Sequence, residues 1–201
     1  MHEVVFAESV LANLRISDWF HLDPPLIDHL ATNLLPNDGS GHHHVRRGNE
    51  ILPEGKFVIG VPPQEIEAEL SRLRKQIDLI CSIEASDSML RAAAFFHLGF
   101  EAIHPLCDGN GRIGRTILAG QCAAGYNIRP HEVMQGIIEN TAIYRMIFLE
   151  KIPDESRFEL LLDMLARILG MTDPYPNTSL PFPLFPANTK RIDGRFRFVP
   201  V

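Results

Sequence analysis

A segment of twelve residues from His104 to Arg115 constrains this chain more than any other part of its sequence. It reads His-Pro-Leu-Cys-Asp-Gly-Asn-Gly-Arg-Ile-Gly-Arg, and its glycines allow tight turns that bring backbone N–H groups close to a ligand. The apolar run that follows predicts a helix, whose N-terminus attracts anions. Arg112 and Arg115 can bind phosphate oxygens bidentately, and Asp108 can hold a hard cation such as Mg²⁺. The segment is therefore typical of a polyphosphate site, with His104 left as a base.

The composition restricts the function classes that are open to this chain. Its 201 residues are enough for one domain with a sizeable core. The net charge of −6 at pH 7 argues against nucleic acid or an anionic membrane as a partner. The cysteines are odd in number and lack metal-ligand spacing, so we expect reduced thiols and a cytoplasmic location. The sequence contains neither an apolar run of ~20 residues nor an N-terminal secretion signal, but export as an effector through a specialised system stays open.

Apolar residues at helical spacing predict a mainly α fold. The predicted helices are residues 24–35, a long helix from Pro62-Pro63 to Ile80, a helix leading to His104, a helix from Ile113 to near Gly125, and residues 130–149 and 156–170. Short β-prone pieces around turn residues predict a small hairpin over residues 45–60. The segment His104–Arg115 thus joins two helices that we expect to be central.

The same segment resembles the signature of the Fic (filamentation induced by cAMP) family, H-P-F-x-[DE]-G-N-G-R-x-x-R. It matches at every polar position and departs at Leu106, where the family usually has Phe. We expect this apolar residue to anchor the loop in the core. The resemblance covers residues ~24–170 and implies a Fic-like helical domain over residues 1–172 with a β-hairpin flap over about 45–60.

The resemblance implies that ATP and Mg²⁺ bind at the motif and that AMP passes to a hydroxyl side chain of a target protein. His104 would be the general base, because a hydroxyl is a poor nucleophile at neutral pH. Asp108 would hold Mg²⁺ between phosphate oxygens.

The remaining motif residues are implied to bind the nucleotide. Asn110 would donate its amide to the α-phosphate, and the backbone N–H groups of Gly109 and Gly111 would stabilise the charge that develops there. Arg112 and Arg115 would hold the β- and γ-phosphates and position the leaving pyrophosphate.

The assignment of an adenine pocket rests on a weaker similarity to the family than the motif does. Family members often place an Asn or Tyr from a later helix against the base, and Asn140 and Tyr144 are the candidates here, four residues apart. The alternative is that Tyr144 is an ordinary half-buried helix residue and Asn140 a solvent contact.

The predicted hairpin is similar to the flap of the family, which holds a segment of the target protein as an added strand. The similarity lies in Arg47-Gly48 and in Phe57-Val58-Ile59 before Pro62-Pro63. We therefore take Arg47, Phe57, Val58 and Ile59 as candidate target-binding residues. An ordinary hairpin without a partner is the alternative.

Residues 173–201 differ from the rest in their high content of Pro and Phe, which predicts an extended arm. The arm would pack on its own domain or on a neighbouring subunit of a homo-oligomer. Residues Thr189–Gly194 approach the inhibitory pattern [ST]-x-x-x-E-[GN] of many Fic proteins, with Asp193 in place of Glu. We interpret this as a chance similarity, so that the protein is active alone or restrained by a separate inhibitor or antitoxin protein.

The sequence thus favours a protein adenylyltransferase that moves AMP from ATP to a Ser, Thr or Tyr hydroxyl and releases pyrophosphate. The alternative is a toxin-type Fic/Doc module that transfers another phosphate-containing group or removes AMP. The Doc branch has lysine where this chain has Gly111, and a lysine there would occupy the phosphate space. Gly111 therefore favours AMP transfer.

Overall fold

A computed structural model describes residues 22–35, 45–46, 60–83, 87–148, 152–171, 189–192 and 195–198. Within these ranges the chain forms seven α-helices and one two-stranded sheet. The elements are α1 (Pro24–Leu34), α2 (Ile66–Cys81), α3 (Ser88–Ile103), α4 (Asn110–Tyr126), α5 (Pro130–Glu139), α6 (Thr141–Ile147), α7 (Asp154–Ile168), β1 (Thr189–Ile192) and β2 (Arg195–Phe198). No helix in the described ranges is long and apolar enough to span a membrane.

Helices α3 and α4 form the centre of the domain, as expected for the two helices that flank the motif. Almost every residue of α3 from Leu90 onward is buried, and α4 is buried along most of its length. α3 packs against α2, α4 and α7, while α4 also contacts α1 and α5. The motif loop therefore connects two helices that are fixed by neighbours on several sides.

The long helix predicted to end at Ile80 is confirmed as α2. Its apolar residues at helical spacing are all buried: Ile66, Leu70, Leu73, Ile77 and Ile80. Pro62 and Pro63 lead into a short 3₁₀ turn (Pro63–Glu65) before the α-helix begins. A proline fits the first turn of a helix, where its missing N–H is not needed.

The single helix predicted over residues 130–149 is wrong, because the chain breaks at Asn140 between α5 and α6. The side-chain amide of Asn140 donates to the carbonyl of Gly136 at 2.9 Å. Such a side chain competes with the backbone for hydrogen bonds and so favours a helix end. The end of α4 also differs slightly, since Asn127, with φ of 52°, takes the left-handed capping position expected near Gly125.

The C-terminal region contains strands in the part that the structure describes. β1 and β2 pair antiparallel, with Thr189 opposite Phe198 and Ile192 opposite Arg195. Residues 189–192 of the segment that approaches the inhibitory pattern thus form a strand, and Asp193 lies outside the described residues. The interpretation of this similarity as chance remains a prediction.

Most of the predicted flap lies outside the described residues, including all four candidate target-binding residues. The described ends of this segment are Val45–Arg46 and Gly60–Val61. Val45 forms an isolated antiparallel bridge with Leu106. The hairpin itself remains a prediction.

Candidate active site

His104 lies where α3 ends and the motif loop begins. Its backbone adopts the left-handed conformation, with φ of 52° and ψ of 60°, and its N–H donates to the carbonyl of Phe100 at 2.9 Å. Residues other than glycine rarely adopt this conformation unless their surroundings impose it. The imidazole is partly exposed. The structure thus turns the chain sharply at the candidate base and leaves its ring within reach of solvent.

The loop after His104 is fixed from inside by Leu106 and Asn110. Leu106 is fully buried, which confirms that the residue in place of the usual Phe anchors the loop in the core. Asn110 is only 2% exposed, and its side chain binds both backbone groups of Leu106, accepting from N–H and donating to C=O, each at 2.8 Å. Asn110 therefore closes the loop, and its expected bond to an α-phosphate stays a prediction.

Gly109 occupies the N-cap position of α4 with φ of 84°. A side chain there would be strained by this backbone conformation and would also overlap Leu35. The carbonyl of Gly109 accepts from the N–H of Ile113 at 2.9 Å, the first bond of the helix. The N–H groups of residues 110–112 have no partner within the helix, as at every helix start. They form the anion-attracting end that the sequence predicted.

Asp108 and Arg112 form an ion pair on the outer side of the loop, with Nη2 and Oδ2 2.8 Å apart. Their side chains are 61% and 36% exposed, respectively. Exposed pairs of this kind contribute about 0–1 kcal/mol, so the two groups can separate at small cost. Both predicted ligand-binding side chains therefore meet at one edge of the loop and can be redirected toward a phosphate and its cation.

Arg115 has different surroundings from Arg112, although both were predicted to bind distal phosphates. Its guanidinium lies over the ring of Tyr144, 5.6 Å from the centroid. The Tyr144 hydroxyl in turn lies 2.9 Å from Nε2 of the buried His97. Burial raises the pKa of Tyr144 well above its ordinary value, so the hydroxyl keeps its proton.

The direction of this hydrogen-bond chain follows from its last acceptor. Burial, and then the charge of Arg115, lowers the pKa of His97 to about 3, so the ring is neutral at pH 7 and carries one proton. His97 Nδ1 lies 3.2 Å from the carbonyl of Gly114, which only accepts, and Nδ1 therefore holds the proton. Nε2 must then accept from Tyr144. The hydrogen bonds therefore run from Tyr144 to His97 and from His97 to Gly114, and Arg115 lies over the Tyr144 ring.

Glu101 lies next to these hydrogen-bonded residues. One of its carboxylate oxygens, Oε1, has no hydrogen-bond partner among the described residues. Burial raises the pKa of Glu101 to about 7, while the nearby charge of Arg115 opposes the rise. α3 and α4 approach closely at this point, because a Cβ on Gly114 would overlap Glu101 Oε1 and touch His97. The absence of a side chain at Gly114 thus leaves room for Glu101 and His97 between the two helices, a role that no sequence pattern indicated.

The two adenine candidates, Tyr144 and Asn140, differ in their burial and in their contacts. Tyr144 is buried, 8% exposed, in an aromatic cluster with His97 and Phe148. Asn140 is partly buried, and its side chain caps the end of α5. The structure therefore gives Tyr144 a contact with Arg115, whereas an adenine contact for either residue remains a prediction.

The sequence patterns did not identify His97, Glu101 and Arg46, the polar residues that lie next to the motif. His97 and Glu101 are four residues apart on an otherwise apolar helix, and this spacing places them on one face. A polar pair on the face of a buried helix is a usable signal. Arg46 gave no comparable signal, because its contacts lie 57 and 58 residues away in the chain.

Backbone hydrogen bonds join the motif loop and the end of α3 to residues 45–46 and 60–61. The N–H of Arg46 donates to the carbonyl of Pro105 at 2.8 Å, and the N–H of Val61 donates to the carbonyl of Ile103 at 3.1 Å. Gly60, with φ of 77°, fits against His104 so closely that a Cβ would overlap it. The segment predicted as the flap therefore begins and ends beside the candidate base.

The motif loop joins the end of buried α3 to the start of buried α4, whose N-terminus attracts anions. A sequence profile of the Fic/DOC family matches residues 22–121. The chain belongs to this family, whose members are generally transferases. No curated protein matches the sequence.

A solved structure is similar in fold, that of a Fic domain containing signaling protein from Bacteroides thetaiotaomicron VPI-5482. The match has a TM-score of 0.50 and 19% identity, and it covers 84% of this chain and 66% of that chain. At this identity the similarity concerns the fold alone. This chain therefore spans slightly less than two thirds of that protein.

The residues present fit a magnesium ion that arrives with a nucleotide. Asp108 offers one exposed carboxylate at the loop, and no cluster of three or more His, Cys, Asp or Glu side chains within the described ranges could hold a metal ion. Mg²⁺ usually keeps several waters and binds one or two carboxylates together with substrate phosphates. A single exposed carboxylate is therefore compatible with Mg²⁺ at this loop, and the role of Asp108 as its ligand stays a prediction.

Proposed function

We propose that this protein is an adenylyltransferase that transfers AMP from ATP to a Ser, Thr or Tyr hydroxyl of a target protein and releases pyrophosphate. The observation that carries the proposal is Gly111 in the first turn of α4. A Cβ there would stand 3.2 Å from Nη1 of Arg115, so a longer side chain would compete for the space beside this guanidinium. With glycine, the space is open to the β- and γ-phosphates.

The first requirement is that the site binds the triphosphate of ATP. The start of α4 supplies backbone N–H groups, Arg115 supplies a charge already held in place by Tyr144, and Arg112 supplies a charge that leaves Asp108 at small cost. Asp108 would then hold Mg²⁺, which neutralises phosphate charge when bound. The distal phosphates lie against these groups, and the α-phosphorus faces His104.

The second requirement is activation of the nucleophile. A neutral His104 takes the proton from the target hydroxyl as its oxygen forms a bond to the α-phosphorus. The bond between that phosphorus and the oxygen bridging to the β-phosphate breaks, and pyrophosphate leaves with the electron pair. The positive groups at the distal phosphates stabilise the charge on this leaving group.

The target protein would be presented by the segment between Arg46 and Gly60. Both ends of this segment are fixed to residues 103–106 by the contacts described above. A target strand added to a hairpin there would bring its hydroxyl near His104. Arg47, Phe57, Val58 and Ile59 are the proposed contacts on this side.

The proposal is tested by following two labels of ATP. The purified protein is incubated with Mg²⁺ and with ATP labelled at either the α- or the γ-phosphorus, alone and with cell lysate. We expect label from the α-position only, on the protein itself or on a target. Label from the γ-position would instead favour a toxin-type phosphotransferase, and loss of AMP from a modified target would favour removal.

A histidine variant tests the role of the base. His104→Ala should reduce labelling by ~10²–10⁴-fold while ATP binding is retained. His29→Ala on the exposed side of α1 is the matched control and should label like the wild type. Equal labelling by both variants would refute the assignment of His104.

A further inference from the structure

Arg46 is a buried arginine whose side chain reaches the end of α3. It is 2% exposed. Its Nε donates to the carbonyl of His104 at 2.7 Å, and its Nη2 donates to the carbonyls of Val61 at 2.6 Å and Ile103 at 3.2 Å. One guanidinium therefore holds three backbone carbonyls, two of which belong to the candidate base and its neighbour.

The identity of these carbonyls explains why a buried charge is stable here. The last carbonyls of a helix have no partner within the helix, and they form its negative end. Ile103 and His104 supply such groups at the end of α3. Arg46 therefore caps α3 from a distant part of the chain, with hydrogen bonds that its charge strengthens.

The position of His104 depends on this cap. His104 is held in a left-handed conformation, which a non-glycine residue keeps only where its surroundings determine it. Arg46 fixes the carbonyl of His104, and its own backbone N–H fixes Pro105. Because Arg46 also binds the carbonyl of Ile103, the backbone is held on both sides of His104.

We propose that Arg46 is a positioning residue for His104. It holds the backbone of the base in the orientation that the reaction needs, without touching the nucleotide. This inference rests on the proposed function. A misplacement of about 1 Å at a catalytic group can cost roughly 10²-fold in rate, which sets the scale of the expected effect.

Arg157 offers a matched control, because it is buried to the same 2% and also binds backbone carbonyls. Its Nε donates to Ile152 at 3.0 Å and its Nη1 to Ile147 at 2.5 Å, between α6 and α7. Neither acceptor belongs to the motif loop. A substitution at Arg157 therefore removes a buried arginine without disturbing His104.

The experiment compares Arg46→Lys with Arg157→Lys. Lysine keeps the charge but lacks the planar fork that spans three carbonyls. We expect Arg46→Lys to lower kcat for AMP transfer by about 10²-fold, with ATP affinity within a few-fold of wild type. Arg157→Lys should lower the melting temperature similarly and leave kcat unchanged. Equal kcat values in the two variants, or a loss confined to ATP affinity, would overturn the proposal.

A second measurement does not depend on the reaction. The backbone chemical shifts of His104, read by NMR in the full chain, report whether its left-handed conformation persists. They should move in Arg46→Lys and in Arg46→Gln and stay fixed in Arg157→Lys. Unmoved shifts would refute positioning even if AMP transfer itself were absent. If both Arg46 variants unfold where Arg157→Lys stays folded, Arg46 supports the whole fold and the positioning role is wrong.

Discussion

Replacing Glu101 by Gln should stabilise the protein at neutral and alkaline pH and change little in acid. Glu101 Oε1 is buried without a hydrogen-bond partner among the described residues, and burial raises the pKa of this carboxyl to about 7. A neutral carboxylic acid suits this environment better than a carboxylate does. Gln has nearly the same shape and never ionises, so it removes the cost of the charged form.

The magnitude follows from the change in pKa between the unfolded and the folded chain. A rise from an ordinary 4.5 to about 7 corresponds to about 3 kcal/mol of unfolding free energy, at about 1.36 kcal/mol for each pH unit. The folded protein binds the proton more tightly than the unfolded chain does. The stability contributed by Glu101 is therefore complete below pH 4.5 and is lost as the pH rises through about 7.

The assay is denaturant unfolding of the wild type and of Glu101→Gln at a series of pH values from 4.5 to 8.5. The difference in unfolding free energy should grow across this range and level off above pH 7, near about 3 kcal/mol. Glu67→Gln, at an exposed position on α2, is the control for the replacement of a glutamate by glutamine. A difference for Glu101→Gln that is constant with pH would show that burial does not raise the pKa of its carboxyl.

Three further predictions concern the nucleotide. Asp108→Ala should raise the Mg²⁺ concentration needed for half-maximal activity, since the loop offers the cation few other carboxylates; an unchanged Mg²⁺ titration would contradict this. Gly111→Lys should abolish AMP transfer and leave the melting temperature nearly unchanged, because Nη1 of Arg115 is the one described atom that a Cβ there would contact; intact-mass analysis of the products decides this. Tyr144→Phe removes the hydroxyl that ties the ring beneath Arg115 to His97 and should weaken ATP binding about tenfold with AMP binding unaffected, as read by calorimetry. A changed preference between ATP and GTP would instead place Tyr144 at the adenine.

The features that the sequence predicted well are those governed by neighbouring residues. The face of α2 from Ile66 to Ile80 follows from helical periodicity alone. The placement of the motif between two central helices could be predicted because it depends on a short, uninterrupted segment, while the roles of its residues stay predictions. The break at Asn140 was missed because apolar spacing continues across it, and this spacing carries no sign of the side-chain bond from Asn140 to Gly136 that accompanies the helix end.

The features that the sequence did not reveal depend on contacts between distant parts of the chain. Arg46 and His104 meet only after the domain has folded, and no local pattern marks them as partners. The same holds for the contact between Tyr144 and Arg115. In both cases a residue outside the motif contacts a motif residue, and such a partner can be identified only when the packing of the domain is known.

The two motif arginines illustrate how the loop combines adaptable with fixed charge. Arg112 rests on an exposed carboxylate, an interaction worth about 0–1 kcal/mol, and its direction can follow the ligand. Arg115 lies over the ring of Tyr144, whose hydroxyl is bonded to a neutral, buried His97. A charge held in this way needs little reorganisation when a phosphate arrives. Under the proposed function we therefore expect the two arginines to differ: Arg115 would define where the distal phosphates lie, and Arg112 would close on them together with a cation at Asp108.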